Sequence, residues 1–137
     1  MQIIGFNFIK VSGEKFLNEK KSVSVQDRKI TTNIEFTNVE KEKFDLLNEE
    51  VVRVNFSFTI SYEPKVAEIT FKGFLVLKLD KKEMTSLLKD WKDKKIPPEM
   101  NLVLLNLVLQ KSTVKALQME EELNLPPHFS LPKISKK

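Results

Sequence analysis

The sequence predicts an α+β domain, with its strands first and its helices after them. Apolar–polar alternation runs through most of the chain up to Leu79, and 3.6-residue periodicity with helix-start signals fills most of the remainder. A chain of 137 residues that is 41% hydrophobic and 31% charged can bury one core and has the balance of a folded protein. It shows no internal repeat, low-complexity tract or linker, so residues 1–137 are read as a single domain.

The first strand is expected over Ile3–Val11, with Ile4, Phe6 and Phe8 on one face and Ile3, Ile9 and Val11 on the other. Apolar residues on both faces require the strand to be covered twice or paired with a second copy. A second strand is expected over Ser22–Phe36, alternating through Ile30, Thr32, Ile34 and Phe36, with a bulge near Asp27–Lys29. The charged stretch Thr37–Glu50 reads as a connection anchored by Phe44, Leu46 and Leu47.

The third strand has the clearest pattern. Val52, Val54, Phe56, Phe58, Ile60 and Tyr62 alternate with Arg53, Asn55, Ser57, Thr59 and Ser61, giving one apolar and one polar face. Glu63-Pro64-Lys65 supplies a tight turn into a fourth strand over Val66–Leu79. Ala67, Ile69, Phe71, Leu75, Leu77 and Leu79 share the core parity there, which sends Phe74 and Val76 to the opposite face. Gly73 on the core parity suggests the close approach of a packed helix.

Asp80 and Glu83 have the spacing of a capping box, and Met84, Leu87, Leu88 and Trp91 form one apolar stripe behind it. Pro97-Pro98 ends this helix, and Pro98 opens a longer one expected to reach Leu123. From Leu102 to Leu109 the long helix is apolar nearly all round, so it should meet a second layer, such as another subunit, as well as the sheet. Farther along, Val114, Leu117 and Leu123 are expected inward. Residues 124–134 contain three prolines and read as an extended segment, with Leu125, Phe129, Leu131 and Ile134 docked on the body.

Signatures of chemistry are sparse. The absence of cysteine removes disulfides, thiolate metal sites and thiol nucleophiles. His128, the single histidine, has no second ligand at coordination spacing and reads as a surface or interface residue. Gly5, Gly13 and Gly73 are too scattered to cradle a phosphate. Successive helical positions diverge by about 100°, so Glu120-Glu121-Glu122 reads as a solvated acidic face. No nucleophile-elbow pattern surrounds a serine. These features favour binding over catalysis, with no cofactor and no metal.

Net charge is +4, carried almost wholly by lysine, with Arg28 and Arg53 as the arginines. A basic nucleic-acid-binding module is the alternative reading. Against it, the aromatic residues follow the core parity of the strands, whereas base stacking needs them on the outer face. The chain opens without a secretory pattern and has no apolar run long enough to cross a bilayer, so a cytoplasmic location without membrane insertion is expected.

What these features leave unassigned is apolar. Phe74 and Val76 on the outer sheet face, Phe16 and Leu17 in one connection, and Phe44, Leu46 and Leu47 in another form a candidate polypeptide-binding set. Either loops and the proline-rich segment cover that face, or another polypeptide does.

The hairpin Val51–Leu79, the strand Ile69-Thr70-Phe71-Lys72-Gly73-Phe74 and the closing Leu123-Asn124-Leu125-Pro126-Pro127-His128-Phe129-Ser130-Leu131-Pro132 resemble the SecB family of export chaperones. The resemblance implies a four-stranded antiparallel sheet with helices packed on one face. It also implies ATP-independent holding of unfolded polypeptides in apolar grooves. Pairing of first strands and sandwiching of long helices would give a homodimer or homotetramer, with Ile4, Phe6, Phe8, Leu102, Leu105 and Leu109 at the interfaces. Familiar members of that family are acidic and dock a translocation motor through acidic surface, whereas this chain is basic. The resemblance therefore supports a chaperone role better than a role in secretion. Other members serve toxin–antitoxin systems.

Overall fold

The structure is a computed structural model that describes residues 1–16, 29–44 and 49–135. Strands β1 (Gln2–Lys15), β2 (Lys29–Phe44), β3 (Glu49–Glu63) and β4 (Ala67–Lys78) are followed by helices α1 (Lys81–Trp91) and α2 (Pro98–Glu122). The strands form one antiparallel sheet in the order β1-β4-β3-β2. β1 and β2 are its edges, so the chain crosses the sheet once and then returns through two hairpins.

The alternation of β3 and β4 places Val52, Val54, Phe56, Phe58, Ile60 and Tyr62 beside Ala67, Ile69, Phe71, Leu75 and Leu77 on a single buried face. Each large apolar side chain so buried contributes roughly 1.5–3 kcal/mol. Leu79, Met84, Leu87, Met100, Leu104 and Val108 close over one half of that face, and Ala116 and Leu125 over the other. Both helices thus pack on the same side.

The two edge strands depart from the expected pattern at bulges. In β1, Ile3 pairs with Leu77 and Gly5 with Val76, so Ile4 is an extra residue between them. A second bulge at Ile9 separates the Phe8–Gly73 and Lys10–Lys72 pairs. Ile3, Phe6 and Phe8 consequently share the core face, while Ile4 and Ile9 stand exposed. The expected grouping of Ile4 with Phe6 and Phe8 is therefore corrected. In β2 the register shifts at Thr37, and the strand continues to Phe44 where a charged connection was expected. The shift turns Val39 into the core, and residues 40–43 remain paired along a sheet edge where charged side chains reach water.

Gly73 does mark a close approach, although the neighbour is not a helix. A Cβ there would lie 2.1 Å from the Asn7 carbonyl oxygen and 2.8 Å from Phe56 Cζ. The helix instead closes on Gly13, where a Cβ would meet Met119 Cε at 2.7 Å and Leu123 Cδ1 at 2.8 Å.

The capping box of α1 is formed. Asp80 Oδ1 accepts from the Glu83 amide at 2.7 Å, and Glu83 Oε1 accepts from the Asp80 amide at 3.2 Å. The long helix touches the core along one line of every fourth residue: Met100, Leu104, Val108, Ser112, Ala116 and Glu120. Such a row is inclined by about 26° to the helix axis. A single line buries little of an apolar helix. Leu102, Val103, Leu109 and Val114 are exposed, which corrects the inward placement expected of Val114.

Helix α2 stops in a Schellman arrangement. Asn124 takes a left-handed φ of 52°, its amide donates to Glu121 O at 3.2 Å, and the Leu125 amide donates to Glu120 O at 2.8 Å. Asparagine tolerates that conformation better than most residues, and Pro126-Pro127 then prevents the helix from resuming. Leu125 plugs into the core, but Phe129, Leu131 and Ile134 are exposed, contrary to the docking expected of them.

Candidate functional site

The sheet face away from the helices is mostly polar. Residues paired across the sheet share a face, so its rows can be read from the register. One row is Ser12, Thr70, Thr59 and Asn33; the next is Lys10, Lys72, Ser57 and Glu35. Toward the other end the composition changes. Phe74 is flanked by Asn7 and Asn55, and Val76 lies between Gly5 and Arg53.

These last two rows and the Ile4 bulge enclose a depression of about 350 Å³, lined by Ile4, Asn7, Glu42, Arg53, Phe74 and Val76. The Arg53 guanidinium carbon lies 3.7 Å from the centre of the Phe74 ring, and its Nη1 donates to Glu42 Oε1 at 3.3 Å. Arg53 Nε is buried and finds no hydrogen-bond partner among the described residues. The depression thus combines an aromatic face, a β-branched wall and a guanidinium with an unused donor. Such a surface can take an apolar side chain against the exposed part of the Phe74 ring.

Of the expected polypeptide-binding set, Phe74 and Val76 come together here. Phe74 is half-buried under Arg53, but Val76, between Gly5 and Arg53, is only 8% exposed. Phe16 lies elsewhere, exposed at the end of β1, where its amide donates to Val66 O at 2.8 Å. Leu17, Leu46 and Leu47 lie outside the described residues, as does the side chain of Phe44. Of the expected interface set, Leu102 and Leu109 are exposed and Leu105 is half-buried on α2. Phe6 and Phe8 are half-buried against the core, where Phe6 stacks on Phe56 at 5.2 Å and Phe8 meets Phe71 edge-on at 5.5 Å.

A second cluster forms at the opposite end of the core face. Glu120 is fully buried and accepts a hydrogen bond from the Tyr62 hydroxyl. His128 Nδ1 lies 3.1 Å from Glu120 Oε1, with the imidazole side chain 6% exposed. The Tyr62 hydroxyl also stands 2.8 Å from the Pro126 carbonyl oxygen. Burial, reinforced by the Glu120 hydrogen bond and charge, pushes the Tyr62 phenol well above its usual range. Neither the solvated reading of Glu120 nor the surface reading of His128 survives. Glu120 continues the four-residue line of α2, and that spacing could have placed it inward from sequence. His128 gave no such signal, because only the Schellman turn brings it back over the helix.

No three histidine, cysteine, aspartate or glutamate side chains converge as a metal site among the described residues. No helix there is long and apolar enough to cross a membrane.

No family model and no curated protein matches the chain. Among solved structures, the SecB-like chaperone of Mycobacterium tuberculosis, in complex with a ChAD peptide from an antitoxin, is similar in fold. The alignment covers 99% of this chain and 91% of that one, with a TM-score of 0.50 and 15% sequence identity. The four-stranded antiparallel sheet with two helices on one face is a SecB-like α+β fold.

Proposed function

We propose that this protein is a chaperone that holds unfolded or partly folded polypeptides without ATP and does so as a homo-oligomer. The observation that carries the reading is the corner formed by Ile4, Phe74 and Val76, an apolar depression on a sheet face that is otherwise polar. Fold similarity to a chaperone solved with a bound peptide supports it. Exposed Leu102, Val103 and Leu109 on α2, together with the bulged edge of β1, supply the surfaces through which copies would associate. The chain's basic charge leaves a translocation-motor contact through acidic surface unsupported, so holding clients is proposed and an export pathway is not.

Aggregation suppression of a chemically unfolded reporter protein tests this, with light scattering for the assembled mass. Phe74→Ser should keep its melting temperature within a few degrees and lose most of the suppression. Val76 is a poorer target, because its burial makes its replacement report stability instead. A wild-type chain that suppresses nothing, or a Phe74→Ser variant that suppresses fully, removes the assignment.

A further inference from the structure

Tyr62, Glu120 and His128 come from β3, α2 and the extended segment, and they meet where the chain leaves the helix. Among the described residues Glu120 is the one charged side chain that is buried. A carboxylate held away from water needs a counter-charge or a full set of donors. Tyr62 offers one hydrogen and faces two acceptors, the Glu120 carboxylate and the Pro126 carbonyl, so it satisfies one of them at a time. His128 is the partner left to carry the balance, with Nδ1 at 3.1 and 3.2 Å from the two carboxylate oxygens.

We propose that Glu120 and His128 form a charge-operated latch for the C-terminal segment: it is fastened while the carboxylate faces an imidazolium and freed when the imidazole gives up its proton. The surroundings allow a single proton to matter. From β3 the cluster receives Tyr62 and the apolar Phe58, from α2 Glu120 and the apolar Ala116 and Met119, and from the residue that caps α2 the apolar Leu123. The segment itself contributes Leu125, His128 and Phe129, while Glu121 and Glu122 point to solvent. No other charged side chain is buried among the described residues to take the place of the imidazolium.

The latch sits at a natural hinge. The Schellman turn ends at Leu125, and beyond His128 the apolar side chains Phe129, Leu131 and Ile134 are exposed, so little side-chain burial holds the segment there. Release would uncover Phe58, whose ring the His128 imidazole meets edge-on at 6.4 Å. Any consequence for client capture rests on the proposed chaperone function; the attachment itself does not.

His128 is the only histidine, so its imidazole resonances report one residue without assignment ambiguity. The test follows that titration by NMR alongside amide hydrogen exchange at Leu125, whose amide donates to Glu120 O, corrected for intrinsic pH dependence and measured with no client present. A hydrogen bond between charged groups is worth enough that exchange should accelerate about tenfold as the imidazole deprotonates, with the same midpoint. Glu120→Gln keeps an acceptor and removes the charge, and it should abolish the step. His128→Gln should do the same, and it carries the comparison if Glu120→Gln fails to fold. Wild-type exchange that is flat across the imidazole titration, or an unchanged step in either variant, overturns the latch. Because no client is present, neither result depends on whether Phe74→Ser affects aggregation suppression.

Discussion

The guanidinium of Arg53 lies 3.7 Å above the ring of Phe74, on the sheet face that carries no helix. The two residues sit on adjacent strands, one row apart, and the pair is closed by the contact of Arg53 with Glu42. An aromatic ring on an outer face would otherwise stand against water on its whole upper surface. Arg53 covers part of it while keeping the depression polar at one rim.

Arg53→Ala should therefore cost about 0.5–1 kcal/mol, the scale of a partly solvated cation–π contact. Urea denaturation with an unchanged slope would measure it. A loss above about 2 kcal/mol would instead show Glu42 left as an unpaired, poorly hydrated charge.

Tyr62 gives the fold a stability that depends on alkaline pH. Its folded-state ionisation is raised above that of an unfolded tyrosine, first by burial and then by Glu120. The sign follows from proton counting: the contribution is complete below about pH 10, where an unfolded tyrosine still holds its proton. It falls as pH rises further, because the unfolded chain ionises while the native chain does not. Tyr62 is the only tyrosine, so phenolate absorbance reads it alone. That absorbance should rise together with loss of near-ultraviolet circular dichroism, not before it. Tyr62→Phe should lose this pH dependence and be less stable at neutral pH by about 1–3 kcal/mol, since Glu120 is left short of a donor.

Gly73 and Gly13 should respond differently to alanine. At Gly73 the added Cβ meets the Asn7 carbonyl at 2.1 Å, and that oxygen can retreat only by parting β1 from β4. At Gly13 the obstacles are the free ends of Met119 and Leu123, which can rotate away. Gly73→Ala is expected to cost about 3 kcal/mol or more and Gly13→Ala about 1 kcal/mol. Thermal melts of the two variants side by side check the ranking. Equal losses would show that the end of α2 is as fixed as the strand backbone.

Local pattern was enough to place β3, β4, the capping box at Asp80 and the proline start of α2. Each is set by side-chain period or by contacts within four residues, and those are written directly in the order of residues. The outward direction of Phe74 and Val76 was legible for the same reason. Where a bulge adds one residue the period breaks, so Ile4 left the company of Phe6 and Phe8, and β2 ran on to Phe44. A bulge is decided by how two distant strands pair, and neither strand alone announces it. Long-range packing likewise made Gly73 a seat for the Asn7 backbone and buried Val76 on the face where it was expected to be open. It also carried His128 back over Glu120, within reach of a tyrosine 58 residues earlier in the chain than that glutamate. Side-chain order alone placed the two central strands, both helices and the apolar face of the hairpin, because burial periodicity is local. Which polar side chains leave water together was settled by packing, because that depends on which distant elements meet.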